Sequence, residues 1–89
     1  MNDTITAILD ERGKRYNLHG TYADHASLTQ DLKNRMRVHP GWKHLPQDMQ
    51  ETLDMMMHKV ARIINGDPTY RDNWDDIQGY VQLVSKDLK

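Results

Sequence analysis

Two groups of carboxylates in the second half of this chain have the spacing needed to bind a hard metal ion. Glu51 and Asp54 form the first, and Asp72 with Asp75 or Asp76 forms the second. Side chains three or four residues apart share one face of a helix. On two facing helices, such pairs could hold Mg²⁺, which binds substrate phosphates. The chemistry indicated is metal-assisted binding or cleavage of a phosphate-bearing ligand.

A histidine, a lysine and an arginine lie in the stretch HKVAR, which precedes a Gly-Asp-Pro turn. If that turn reverses the chain, these basic side chains face the aspartates that follow it. Basic groups together with carboxylates would form a charged pocket for a nucleotide or another phosphate-bearing ligand. The predicted ligand site consists of His58, Lys59, Arg62, Asp72 and Asp76, with Asp72 and Asp76 as the candidate Mg²⁺ ligands.

The same charges also have a purely structural interpretation. An Asp76 that pairs with Lys59 or Arg62 is an ordinary interhelical ion pair. Glu51 and Asp54 lie six or more helical residues from the level of Asp76, on the order of 9 Å at about 1.5 Å per residue. One ion cannot bridge both carboxylate pairs, so the spacing favours ion pairing over metal binding.

The remaining residue types argue against several other classes of site. The chain has no cysteine, and its five histidines show no H-x-x-x-H spacing, which argues against a thiolate or zinc site. The net charge of -1 argues against general nucleic-acid binding. The sequence has no signal segment and no apolar run long enough to span a membrane, so we expect a cytoplasmic protein.

Helical periodicity outlines the elements that would position these residues. The apolar periods predict a short helix after Asp3 or Thr4, followed by helices at about 22–37, 46–65 and 70–88. The motif HPGW interrupts the chain between the second and third of these helices. We therefore predict one all-α domain over residues 1–89. Its fold would be a small four-helix domain with an antiparallel helical hairpin, about 46–65 and 70–88.

The last helix carries the features that suggest self-association. Its expected buried stripe is Trp74, Ile77, Val81, Val84 and Leu88. Gly79 costs roughly 1 kcal/mol relative to alanine inside a helix, which favours a close helix crossing there, with a bound ligand or a second subunit as the other reason. Tryptophans at 42 and 74 in so short a chain lead us to predict a possible homo-oligomer.

Parts of the sequence resemble two known families. The segments RGKRY, HKVARIINGDP and DDIQGYVQLV resemble a family of small phage and prophage helical proteins, which implies no particular activity. The segments HKVARI and DDIQGY, with the nearby acidic pairs, resemble the all-α NTP pyrophosphohydrolases (MazG-like). That second resemblance implies Mg²⁺ held by carboxylates and cleavage of nucleoside triphosphates, although the E-E-x-x-E cluster of the family is missing before Glu51.

Three functional hypotheses follow. The first is a phage-type accessory protein that binds a nucleotide or phosphate-bearing ligand in the charged pocket. The second is a catalytically inert module that acts on a host protein through an interface. The third is a Mg²⁺-dependent nucleoside triphosphate pyrophosphohydrolase, which the basic residues opposite the aspartates make less favoured.

Overall fold

The computed structural model describes residues 20–88, and within this range the protein is entirely helical. Helix α1 is Tyr22–Arg37, α2 is Gln47–Asn65 and α3 is Arg71–Ser85. A 3-10 turn, Trp42–His44, lies between α1 and α2. No strand is present in the described range, so the predicted all-α class is confirmed there. The predicted short helix after Asp3 or Thr4 falls outside the described residues, and the count of four helices stays a prediction.

The ends of α1 are set by local chemistry, as the sequence indicates. The hydroxyl of Thr21 accepts a hydrogen bond from the backbone N–H of Asp24 at 3.2 Å, which satisfies one of the free donors in the first turn. The helix ends at Arg37. Beyond it, the ring Nδ1 of His39 accepts from the backbone N–H of Gly41 at 2.9 Å, holding the turn around Pro40.

The connection between α2 and α3 is a short turn held by side chains. Gly66 caps α2, and Asp67 accepts hydrogen bonds from the backbone N–H and the hydroxyl of Thr69, at 2.8 and 2.6 Å. The indole N–H of Trp74 donates to the carbonyl of Pro68 at 2.7 Å. The observed α2 begins one residue after the predicted start, and α3 ends at Ser85 instead of continuing to 88.

Helix α2 is the central element, because α1 and α3 contact different sides of it. On the α1 side, Asp54 bonds to Arg37 at 3.2 Å and His58 lies against His25. On the α3 side, Lys59 bonds to a carboxylate of α3. The three helices therefore form a layer in which α2 is the middle member.

The interior of this layer is small. Ala61, in the middle of α2, is the one apolar residue that is fully buried among residues 20–88. Three polar residues are also buried, and they are Thr29, Thr52 and Asn73. Half-buried apolar side chains around these residues supply the rest of the packing, so much apolar surface remains in contact with solvent.

The predicted buried stripe of the last helix is correct for Ile77 and Val84, which are half-buried, and wrong for its other three members. Trp74 is 50% exposed, Val81 is 43% exposed and Leu88 is 56% exposed, whereas Asn73 is only 1% exposed. Among residues 20–88, α3 packs mainly on α2, and its less exposed side chains include Asn73, Ile77, Tyr80 and Val84. The helical period predicts a stripe but does not determine how the helix is rotated about its axis.

Gly79 lies on the open side of α3. A Cβ atom added at Gly79 would meet nothing within 4 Å. The predicted close helix crossing at Gly79 is therefore not present in the described part of the chain. No helix among residues 20–88 has the length and apolar character needed to cross a membrane.

Candidate functional site

The ion pair that the sequence suggested for Asp76 is present. The Nζ atom of Lys59 lies 2.8 Å from Oδ2 of Asp76 and joins α2 to α3. The lysine side chain is only 13% exposed, whereas the aspartate is 45% exposed. Because one partner is half in solvent, we assign the pair a stabilisation of about 0 to 1 kcal/mol. These two residues neutralise each other on the α3 side of α2.

The other two basic residues of the predicted pocket belong to a different group, which includes α1. The ring of His58 lies 5.7 Å from the ring of His25, centroid to centroid, with the planes tilted by 41°. Lys33 of α1 and Arg62 of α2 both act electrostatically on His58. We call Lys33, His58 and Arg62 the cationic cluster. It combines residues of α1 and α2 and does not include the Lys59–Asp76 pair, although Lys59 also has a smaller effect on His58.

Sequence reasoning missed the contributions of α1 to this cluster. His25 and Lys33 are eight residues apart, about 2.2 helical turns, which places them on neighbouring lines of α1. That spacing could have identified a shared face. It could not have shown that the face meets His58, because contact between α1 and α2 depends on tertiary packing.

The electrostatic environment lowers the pKa of His58 from its ordinary value of 6.5. Burial is the largest cause, because removing a group from water disfavours its charged form. The positive charges of Lys33 and Arg62 follow, and Lys59 adds a smaller effect of the same sign. Asp54 acts in the opposite direction but is shared with Arg37. His58 is therefore held in its neutral form around neutral pH.

This pKa shift predicts a stability loss on acidification. Between the lowered folded-state pKa and 6.5, the unfolded chain binds more protons than the native state, so the free energy of unfolding rises with pH in that window. Stability contributed by neutral His58 is fully present above pH 6.5 and is lost as the pH falls through the folded-state pKa. Urea unfolding from pH 7.5 to 5 should show this loss, and the loss should be smaller in His58→Gln.

The loss of stability expected at still lower pH has a separate origin, which is Asp67. Hydrogen bonds from the hydroxyl and then from the backbone N–H of Thr69 lower the pKa of Asp67 from 3.8. The stability that ionised Asp67 contributes is therefore lost only as the pH falls below 3.8.

The test of His58 uses the range above pH 5. A pH dependence of stability above 5 that is identical in His58→Gln and the parent would contradict the assignment to His58.

The remaining acidic residues do not join the cationic cluster. Asp72 is exposed and accepts a hydrogen bond from the hydroxyl of Tyr70 at 2.9 Å. Asp75 pairs with Arg71 at 3.2 Å within α3. Asp54 pairs with Arg37, and its second oxygen, Oδ1, is buried without a hydrogen-bond partner. The structure thus brings Lys59 together with Asp76 and His58 together with Arg62, and leaves Asp72 beside the turn.

The carboxylates of the described region do not converge. Within residues 20–88, no group of three or more histidine, aspartate and glutamate side chains is placed to hold a metal ion. The candidate ligands Asp72 and Asp76 are held separately, by Tyr70 and by Lys59.

Comparison with protein-family models, with curated proteins and with solved structures finds no match to this chain.

Proposed function

We propose that this protein is a phage-type accessory protein that binds a nucleotide or another phosphate-bearing ligand. In this proposal α2 and α3 form an antiparallel helical hairpin, and α1 completes the binding site from the other side of α2. The observation that carries the proposal is the cationic cluster, in which Lys33 of α1 and Arg62 of α2 act electrostatically on the half-buried His58.

The charges in the cluster are not neutralised by nearby carboxylates. Within residues 20–88, neither Lys33 nor Arg62 takes part in a salt bridge, whereas Lys59 is paired with Asp76. Phosphate oxygens would supply the missing negative charge, and a guanidinium can bind two of them at once. An anion would also stabilise the protonated form of His58, offsetting the positive charges that lower its pKa.

The proposed site modifies the pocket expected from sequence. His58 and Arg62 remain ligand-binding residues, and Lys33 is added from α1. Lys59 and Asp76 form a neutral flank whose role is mainly to join the two helices. Asp72 lies in the first turn of α3, where it is available to a ligand that extends toward the turn.

Titration with nucleoside triphosphates and with inorganic phosphate tests the binding site. We expect the His58 ring resonances to shift on binding and the His58 pKa to rise. Arg62→Gln should weaken binding by roughly 10- to 100-fold, because a charge-assisted hydrogen bond contributes about 1.5–3 kcal/mol. Isothermal calorimetry at low ionic strength measures this affinity, since screening by salt would reduce it.

Arg71→Gln is the matched control. Arg71 is an exposed arginine of α3 that pairs with Asp75 and is not among the groups that act on His58. Its removal changes the net charge by the same amount as Arg62→Gln. Equal losses of affinity in the two variants would indicate unspecific attraction and would contradict the proposed site.

Magnesium-dependent hydrolysis is the enzymatic form of this proposal. Asp72 and Asp76 would supply carboxylate ligands, and Asp76 would have to exchange Lys59 for the metal. Pyrophosphate release from a panel of NTPs and dNTPs, measured with and without Mg²⁺, separates binding from catalysis. Release that requires Mg²⁺ and is lost in Asp76→Asn would make the protein an enzyme.

The exposed apolar surface favours a second candidate, a catalytically inert interaction module that acts on a host protein. Ile64 is 65% exposed and Trp74 is 50% exposed, and large apolar side chains of this kind are common at protein interfaces. No affinity for phosphate compounds, together with an intact fold, would favour this candidate over the ligand-binding proposal.

A further inference from the structure

Three side-chain rings form a row that begins on the surface of α1 and ends at the cationic cluster. The ring of Tyr22 lies 6.3 Å from the ring of His25, centroid to centroid, with the planes tilted by 37°. His25 in turn lies 5.7 Å from His58, so the row crosses from α1 to α2. The outer end is open to solvent, because Tyr22 is 78% exposed, whereas both histidines are half-buried. We call these three residues the ring row.

The antiparallel packing of α1 and α2 brings Arg62 to the level of the outer end of the ring row. At the start of α1, the side-chain amide of Asn65 donates to the carbonyl of Thr21 at 3.1 Å. The contact between the two histidines lies about one helical turn further along α1. Tyr22 and Arg62 both lie between these two contacts along their helices. The exposed tyrosine and the arginine of the cationic cluster therefore start from similar heights on neighbouring helices.

A nucleotide combines the two chemical groups that this arrangement accommodates. An exposed aromatic ring is a stacking surface for a base, and it serves every base because all of them have a π face. The cations that act on His58 are suited to phosphate oxygens. Only two ring-to-ring steps, of 6.3 and 5.7 Å, separate Tyr22 from His58. One nucleotide, whose base and phosphates are joined through a single ribose, spans this separation.

We propose that the ligand is a free nucleotide whose base stacks on the exposed ring of Tyr22 while its phosphates lie at the cationic cluster. This inference rests on the proposed function and adds the part of the ligand that the phosphate site does not recognise. The strength of stacking sets the preference among bases, so purines should bind more tightly than pyrimidines. The open position of Tyr22 also allows its replacement without loss of the fold.

The test compares pairs of ligands that differ in the base. ATP and inorganic tripolyphosphate carry the same number of phosphates, and AMP and ribose 5-phosphate differ only in the base. We expect the base-containing member of each pair to bind roughly 5- to 150-fold more tightly, the range that one stacked base contributes. Isothermal calorimetry of the full chain at low ionic strength, without Mg²⁺, measures the four affinities.

Variants of Tyr22 assign the difference to its ring. Tyr22→Ala should remove most of the advantage of ATP over tripolyphosphate and leave the affinity for tripolyphosphate unchanged. Tyr22→Trp should keep the advantage, because it retains a π face. Trp74→Ala is the matched control, since Trp74 is 50% exposed on α3 and lies outside the ring row. Arg62→Gln should weaken the binding of ATP and tripolyphosphate alike. The midpoint of urea unfolding verifies that each variant folds.

Several results would overturn the inference. Equal affinities for ATP and tripolyphosphate in the parent would exclude a base site and leave the phosphate site in place, whereas binding of neither compound would exclude both. An advantage of ATP that survives in Tyr22→Ala, or that Trp74→Ala removes equally, would place the base elsewhere. A single-stranded oligonucleotide that binds more tightly than ATP at the same salt concentration, and that requires Tyr22, would make the ligand a nucleic-acid strand and not a free nucleotide.

Discussion

Gly20→Ala is expected to destabilise the protein by about 2–3 kcal/mol, which is a large effect for a single substitution. Gly20 has a φ of +73°, a left-handed conformation that costs an L-residue roughly 1–2 kcal/mol. A Cβ atom there would also collide with the backbone carbonyl and the side chain of Asn65. The carbonyl belongs to the end of α2 and cannot rotate away as a flexible side chain would.

The collision matters because it lies where α1 meets α2. The side-chain amide of Asn65 donates to the carbonyl of Thr21 at 3.1 Å, so this contact joins the end of α2 to the start of α1. Urea unfolding followed by circular dichroism measures the change. Gly79→Ala is the control, because that position is helical and a Cβ there meets no neighbouring atom. Alanine at this position should stabilise the protein by up to about 1 kcal/mol. Effects of the same sign in both variants would contradict this account.

Ala61→Leu should destabilise the protein by about 1–3 kcal/mol, because added volume in a closed interior forces neighbouring groups to move. Ala61 is 0% exposed and lies in the central helix, which has a helix on either side. Little relaxation is available, since moving one neighbour disturbs the contacts of the whole layer. The midpoint of thermal or urea unfolding checks the prediction.

Ala23→Leu is the matched control for this change. Ala23 lies in the first turn of α1 and is exposed, so leucine there should alter stability by no more than about 0.5 kcal/mol. A similar loss in both variants would mean that Ala61 is not the tightly packed centre of the layer. An Ala61→Leu variant as stable as the parent would also show that Ala61 is not tightly packed.

Local sequence chemistry predicted the helices well. The cap at Thr21, the break around Pro40 and the end of α2 at Gly66 all depend on neighbouring residues in the chain. Such signals act within one or two helical turns, so they can be recognised without knowledge of the fold. The ion pair between Lys59 and Asp76 was also among the expected alternatives, because a short turn limits which residues of the two helices can meet.

Tertiary structure decided which side of each helix is buried and which charges share a site. The apolar pattern of α3 favoured Trp74 and Val81 as buried residues, yet Asn73 is buried and both of these side chains are exposed. Lys33 acts on His58 because α1 occupies one side of α2, a contact between segments distant in sequence. The sequence by itself determined the ends of α1 and α2 and the start of α3 to within about one residue, since capping and chain reversal are local, but not the end of α3 at Ser85. The rotation of each helix, and hence the composition of the site, required the simultaneous packing of all three helices.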